Sequence, residues 1–162
     1  MTEPQPTDAA AALARLRARG WTIGIAESLT GGMLAAELIS VPGASATVIG
    51  GIVAYATPLK HSLLGVDAAL LAERGPVDPE VARQMADGVR RAVAVEGRPA
   101  DVGISTTGIA GPDSPDDQPV GTVYVGVSTP DGTTSLALHL EGDRQAIRAA
   151  SVCHAVNALR AL

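Results

Sequence analysis

Apolar residues recur along the chain at two spacings, and each spacing predicts a kind of element. Leu13 and Leu16 share one face of a helix expected over residues 7–19, which Thr7 or Asp8 caps and Gly20 ends. Trp21 to Ala26 is a short apolar run and the expected first strand. Met33 to Ile39 suits a helix entered through Ser28-Leu29-Thr30-Gly31-Gly32 and stopped by Pro42-Gly43. Thr47 to Tyr55 predicts a second strand, apolar enough for burial on both faces. Thr57-Pro58 then opens a two-turn helix, and a further short helix is expected from Asp67 to Arg74. Asp78-Pro79-Glu80 starts a longer one running to about Val95, with Val81, Met85, Val89 and Ala92 on one side.

Val102 to Thr106 is the third expected strand, followed by a Gly/Pro/Asp loop from Thr107 to Pro119. Val120 to Thr129 and Thr133 to Leu140 read as two strands joined across Pro130-Asp131-Gly132, and Asp143 caps a last helix. Strands separated by helices, then a hairpin, then a helix predict a three-layer α/β/α sandwich on a mixed, mostly parallel sheet with a C-terminal β-hairpin. At 162 residues the chain has the length of one domain, expected over 9–162 behind a flexible N-terminus at 1–8.

Composition narrows the functions. Twelve basic against 17 acidic residues give a net charge of −5, which argues against a surface built for nucleic acid or an anionic membrane. A small-molecule or protein partner is favoured. Met1 to Asp8 lacks the charged and apolar regions of an export signal, and the apolar run Val48 to Ala54 is too short to span a membrane, so a cytoplasmic location is expected. The single cysteine, Cys153, excludes an internal disulfide and fits a reducing compartment. His61, His139 and His154 show no ligand spacing, and neither a metal nor a cofactor is expected.

Eleven of the basic residues are arginine; Lys60 is the sole lysine. Arginine stays protonated in proteins, whereas lysine loses its proton when burial or nearby positive charge lowers its pKa. A site that needs a neutral amine would retain lysine against a general bias to arginine, so Lys60 is a candidate base. It is expected in the first turn of a helix, where the dipole also disfavours a cation.

In open α/β sheets ligands bind beyond the carboxyl ends of the parallel strands. The first strand leads there into Glu27-Ser28-Leu29-Thr30-Gly31-Gly32, the second into Tyr55-Ala56-Thr57-Pro58-Leu59-Lys60, and the third into Thr106-Thr107-Gly108-Ile109-Ala110-Gly111-Pro112. Ser28 and Thr30 precede a helix, either as ordinary caps or as part of a cradle whose N–H groups hold a phosphate or oxyanion. Gly31-Gly32, costly inside a helix, favours the second use. Serine with a lysine base is a known nucleophile arrangement for acyl transfer. Arg144, just inside the last helix, either clamps a phosphate or is simply exposed.

These motifs resemble the CinA C-terminal domain family, part of the competence/damage-inducible protein CinA, whose stand-alone members are nicotinamide-nucleotide amidases. The resemblance runs from about residue 10 to the C-terminus through A-E-S-L-T-G-G (26–32), P-G-A-S (42–45), Y-A-T-P-L-K (55–60) and L-L-G-V (63–66), then through T-G-I-A-G-P-D (107–113), P-V-G-T-V-Y (119–124) and G-D-R (142–144). It implies hydrolysis of the carboxamide of nicotinamide mononucleotide to nicotinate mononucleotide and ammonia, a step of pyridine nucleotide salvage, without a cofactor. Carried over by position, Ser28 is the nucleophile, Lys60 its base and Tyr55 a hydroxyl that assists or orients them. Thr30, Gly31, Gly32, Ser45, Thr107, Gly108 and Arg144 are the implied substrate contacts, and a homodimer is implied as the assembly.

Leu29, Thr57 and Thr107 stand where the family often has Cys, Asn and Ser. Longer members carry an N-terminal pyrophosphatase-like domain, for which 162 residues leave no room. The competing expectation is a non-catalytic nucleotide-binding module acting through a partner in competence or DNA-damage responses. The joint presence of Ser28, Tyr55 and Lys60 favours the enzyme.

Overall fold

The apolar runs condense into one sheet. In the computed structural model, which describes residues 8–115 and 117–162, the strands are β1 (Ile23–Glu27), β2 (Val48–Val53), β3 (Val102–Gly108), β4 (Thr122–Thr129) and β5 (Gly132–His139). They lie in the order β2-β1-β3-β4-β5. β1 is parallel to both β2 and β3, whereas β3–β4 and β4–β5 are antiparallel. β5 therefore points the same way as β1, β2 and β3, and the last two strands form the expected hairpin. The chain passes from β1 to β2 on one side and then crosses over to β3 on the other, so the direction of winding reverses at β1 and a crevice opens at the carboxyl ends of β1 and β3.

Helices cover both faces. α1 (Ala9–Ala18), α2 (Met33–Ile39) and α6 (Arg144–Arg160) bury Leu13, Leu16, Leu34, Leu38, Val156 and Leu159 against Ile23, Ile25, Val102, Ile104 and Val125. On the other face α5 (Pro79–Ala92), with α3 (Thr57–Ser62) and α4 (Ala68–Arg74), packs Val81, Met85 and Val89 with Leu64, Val66 and Ala26. The starts of these helices follow from side chains that accept orphan N–H groups. Asp8 accepts from Ala11, Asp67 from Ala69, Asp78 from Glu80 and Val81, and Asp143 from Ala146. Asp8 thus belongs to the folded unit, while the expectation for residues 1–7 lies outside the described residues.

α5 lies unusually close to the backbone around it. A Cβ at Gly88 would come within 1.7 Å of the Leu64 carbonyl oxygen, and one at Gly103 within 1.8 Å of that of Ala86. Glycine at these two places lets α5 touch the loop after α3 and strand β3 backbone to backbone.

One expectation about the strands needs correction. β2 is not buried on both faces: it is the edge strand, and Ile49 and Val53 are 37% and 45% exposed. β3 also runs two residues further than expected, which takes Thr107 and Gly108 out of the loop and into the strand.

Candidate active site

The site is assembled where β1, β2 and β3 end. Ser28 follows directly on β1, and its N–H donates to the Thr106 carbonyl of β3 at 3.1 Å. Lys60 sits on α3 behind the turn that leaves β2, and only 1% of it is exposed. Its Nζ donates to Ser28 Oγ at 3.0 Å, to the Ala54 carbonyl at 2.7 Å and, more weakly, to the Tyr55 carbonyl at 3.5 Å. No carboxylate pairs with it among the described residues. Burial lowers its pKa from 10.5 to about 8. The helix dipole expected to contribute has little part in this, because α3 has six residues and Lys60 belongs as much to its last turn as to its first.

A crevice of about 190 Å³ opens over this pair, lined by Ser28, Leu29, Tyr55, Lys60, Thr107 to Gly111, Asp113 and Arg144 among others. Ser28 is 7% exposed and faces it. Thr107 contributes a buried hydroxyl that donates to the Pro76 carbonyl at 2.7 Å and keeps its lone pairs for a further donor. Gly108 lies against β4, where a Cβ would come within 2.8 Å of the Thr122 carbonyl. The N–H groups of Leu29, Ala110 and Gly111 find no acceptor among the described residues, so the crevice wall offers donors to a ligand.

Tyr55 stands apart from its expected role. The residue is 61% exposed, and its hydroxyl accepts from Arg144 at 3.3 Å rather than meeting Ser28 or Lys60. Its carbonyl, not its ring, faces the lysine. Arg144 also donates to the Gly111 carbonyl at 2.8 Å, which leaves its guanidinium at the rim with donors to spare.

Four expected substrate contacts lie elsewhere. Thr30 is fully buried, its hydroxyl bonded to that of Thr106 at 2.7 Å. Gly31 and Gly32 have φ of +59° and +105° and shape the turn into α2 behind the crevice wall. The anion cradle expected at this helix start is already filled: Glu27, 1% exposed, accepts from the N–H of Leu34 at 2.9 Å and of Ala35 at 3.0 Å. A second anion there would meet the carboxylate that has satisfied those donors. Ser45 lies in a 3-10 turn just before β2, at the amino end of the strand, and lines a separate groove with Ile39 and Ile49.

Two residues that hold the backbone around Ser28 escaped the sequence analysis. Glu27 was quoted in its motif but not given a task. Arg148, one turn beyond Arg144 on α6, donates from Nε to the Leu29 carbonyl at 2.8 Å and from a terminal nitrogen to that of Thr30 at 3.4 Å. The signal that could have found it is a second arginine at helical spacing from the first.

A serine and a buried lysine in the crevice of a three-layer α/β sandwich define the class of this protein by fold and site. Residues 7–162 match the family model described as CinA C-terminal domain. The chain belongs to that family. It is 48% identical over 142 residues to a CinA-like protein of Frankia casuarinae, covering 88% of this chain and 32% of that one. A putative competence-damage inducible protein of a Geobacillus species is 47% identical over 134 residues, covering 82% of this chain and 31% of the relative. The chain thus spans about a third of the length of the curated relatives it matches.

Among solved structures, a competence-damaged protein (CinA) superfamily protein of Escherichia coli superposes with a TM-score of 0.89 at 28% identity, covering 100% of this chain and 93% of the other. A superfamily member from Klebsiella pneumoniae gives 0.88 at 30% identity, with 97% and 96% covered. Among the described residues no helix is long and apolar enough to cross a membrane, and no group of three or more His, Cys, Asp or Glu could hold a metal ion.

Proposed function

We propose that the chain is an amidohydrolase that converts nicotinamide mononucleotide to nicotinate mononucleotide and ammonia through an acyl-enzyme on Ser28. The observation that carries this reading is the buried Lys60 amine 3.0 Å from Ser28 Oγ, with a pKa of about 8. A lysine with that pKa is neutral in a useful fraction of molecules near neutral pH. With the amine neutral, two of its hydrogens remain on the Ala54 and Tyr55 carbonyls and its lone pair accepts from Ser28.

Ser28 Oγ attacks the carboxamide carbon as its proton passes to Lys60 Nζ. The C=O bond becomes a C–O⁻ bond, and the unpaired N–H groups of the crevice wall are the available donors for that charge. When the tetrahedral centre collapses, the C–N bond breaks and the Lys60 ammonium gives its proton to the departing nitrogen, which leaves as ammonia. A water then attacks the ester, losing its proton to Lys60. Its oxygen remains in the product acid, which releases its other proton to solvent as the carboxylate forms, and the proton on Lys60 returns to Ser28. The 5′-phosphate of the substrate is assigned to Arg144 and the Ala110–Gly111 segment at the rim. Nicotinamide and its riboside, which lack that phosphate, are therefore expected to be poor substrates.

Ammonia release from nicotinamide mononucleotide by the purified chain, beside Ser28→Ala, tests the proposal. The expected result is turnover by the parent and a loss of roughly 1000-fold or more in the variant. A folded parent that binds the nucleotide without releasing ammonia would instead support the non-catalytic module, and equal specificity constants with and without the phosphate would remove the phosphate assignment.

A further inference from the structure

Arg148 is half-buried, and among the described residues no carboxylate pairs with it. Its guanidinium is directed instead at two consecutive carbonyls, those of Leu29 and Thr30, across 119 and 118 positions of sequence. Gly31, beside them, lies against it: a Cβ there would sit 3.4 Å from the Arg148 terminal nitrogen. The segment that the guanidinium holds begins at Ser28.

The consequence lies in the peptide planes. The N–H and C=O of a trans peptide point in opposite directions, so a Leu29 carbonyl tied to α6 turns the Thr30 N–H away from α6. Neither this N–H nor that of Leu29 has an acceptor among the described residues. The other hydrogen bonds of the segment are Ser28 N–H on the Thr106 carbonyl, Lys60 on Ser28 Oγ, Gly31 N–H on the Ser28 carbonyl, Met33 N–H on that of Thr30, and the Thr30–Thr106 hydroxyl pair; none of them fixes the Leu29 carbonyl. Two glycines with positive φ at its end make it adaptable. Release of the Leu29 and Thr30 carbonyls would let this segment rotate and carry with it Ser28 and Leu29, which line the crevice, so that the Ser28 Oγ and the Leu29 N–H would no longer be aligned on the negative charge that develops on the substrate oxygen.

We infer that Arg148 is a positioning residue for Ser28: by holding the Leu29 and Thr30 carbonyls on α6, it keeps the nucleophile loop in the orientation that accepts an oxyanion. This assignment rests on the proposed serine chemistry but not on the identity of the amide. Arg144, on the same helix one turn earlier, serves the rim, whereas Arg148 does not itself line the crevice and acts through the Leu29 and Thr30 carbonyls.

The test uses Arg148→Ala and Arg148→Lys in the full chain, with two readouts. One is the rate at which a fluorophosphonate probe labels Ser28, which reports nucleophile and oxyanion geometry whatever the natural substrate. The other is steady-state hydrolysis of nicotinamide mononucleotide. In Arg148→Ala, labelling and kcat should each fall roughly 10- to 100-fold with KM within about threefold of the parent, the pattern of misplaced reacting groups. Added guanidinium at millimolar concentration should restore part of both. Arg148→Lys, which cannot span two carbonyls with a planar fork, should fall between parent and Ala.

Parental labelling in either variant overturns the assignment, as does a loss that guanidinium leaves unchanged in a variant whose thermal unfolding lies well above the assay temperature. If Arg148→Ala does not fold, the Lys variant carries the same comparison. A parent labelled at Ser28 that releases no ammonia refutes the amidase reading and leaves the labelling comparison to decide on Arg148. A parent not labelled at all overturns both.

Discussion

Replacing Lys60 by methionine separates the energetic cost of this amine from its chemistry. The side chain is fully buried, and burial lowers its pKa from 10.5 to about 8. Between those two values the unfolded chain holds the proton and the folded chain does not, so stability rises with pH across that window. Below about pH 8 the folded state carries a buried ammonium and bears the whole cost; above 10.5 both states are neutral and the cost is gone. The interval corresponds to about 3 kcal/mol, of which about 2.5 kcal/mol falls between pH 7 and 10.

Lys60→Met removes the titrating group and keeps an unbranched apolar stem of similar length. It leaves the Ala54 carbonyl and Ser28 Oγ without their donor, an offset that is the same at every pH. Cys153, whose thiol pKa is raised from 9.0 chiefly by burial, bends the curve the opposite way, but equally in both proteins. With no second lysine in the chain, the difference between the two pH profiles isolates Lys60. Urea unfolding at pH 7, 8, 9 and 10 should show the parent gaining stability relative to Lys60→Met by about 2.5 kcal/mol, a midpoint shift on the order of 1 M urea. Parallel profiles, with a constant gap from pH 7 to 10, would refute the reasoning that burial has depressed this amine.

The same amine sets the pH dependence of turnover. Because the neutral form is the base, kcat should climb through pH 8 to a plateau, with the rate at pH 7 about one tenth of it; a flat profile from pH 6 to 9 would count against Lys60 as the base. Lys60→Arg should be inactive and also destabilised, since the enclosed position that holds an ammonium has no room for a wider guanidinium; parental kcat in that variant would count against both arguments. Gly88→Ala should destabilise by roughly 3 kcal/mol or more, because its methyl would meet the Leu64 carbonyl at 1.7 Å; calorimetric unfolding within 2 °C of the parent would show that α5 shifts freely.

Periodicity and caps made the helices legible almost to the residue, as with Met33–Ile39, because local spacing decides which face is apolar. The edge position of β2 was not legible in the same way. It depends on strand order, which only the whole topology sets, and an apolar edge strand reads like a buried one. The pairing of Ser28 with Lys60 could be anticipated from a lone lysine among arginines and from two loops at strand ends. Ser45, expected only from the resemblance, has no such support, since its motif precedes β2 and so falls at the opposite end of the sheet from the crevice. Glu27 was hidden for another reason: a carboxylate next to a helix start reads equally as a catalytic acid, a surface charge or a cap. Only the distances to the Leu34 and Ala35 N–H groups choose among them.

A chain whose only side-chain amine lies inside its candidate active site carries its own spectroscopic reporter. Lysine Nζ labelled with nitrogen-15 would give one side-chain resonance, with no crowd of surface lysines to assign or mutate away. Its chemical shift would follow directly the protonation of the amine beside Ser28. The scarcity that makes Lys60 conspicuous in the sequence also turns the site into the easiest part of the molecule to watch in solution.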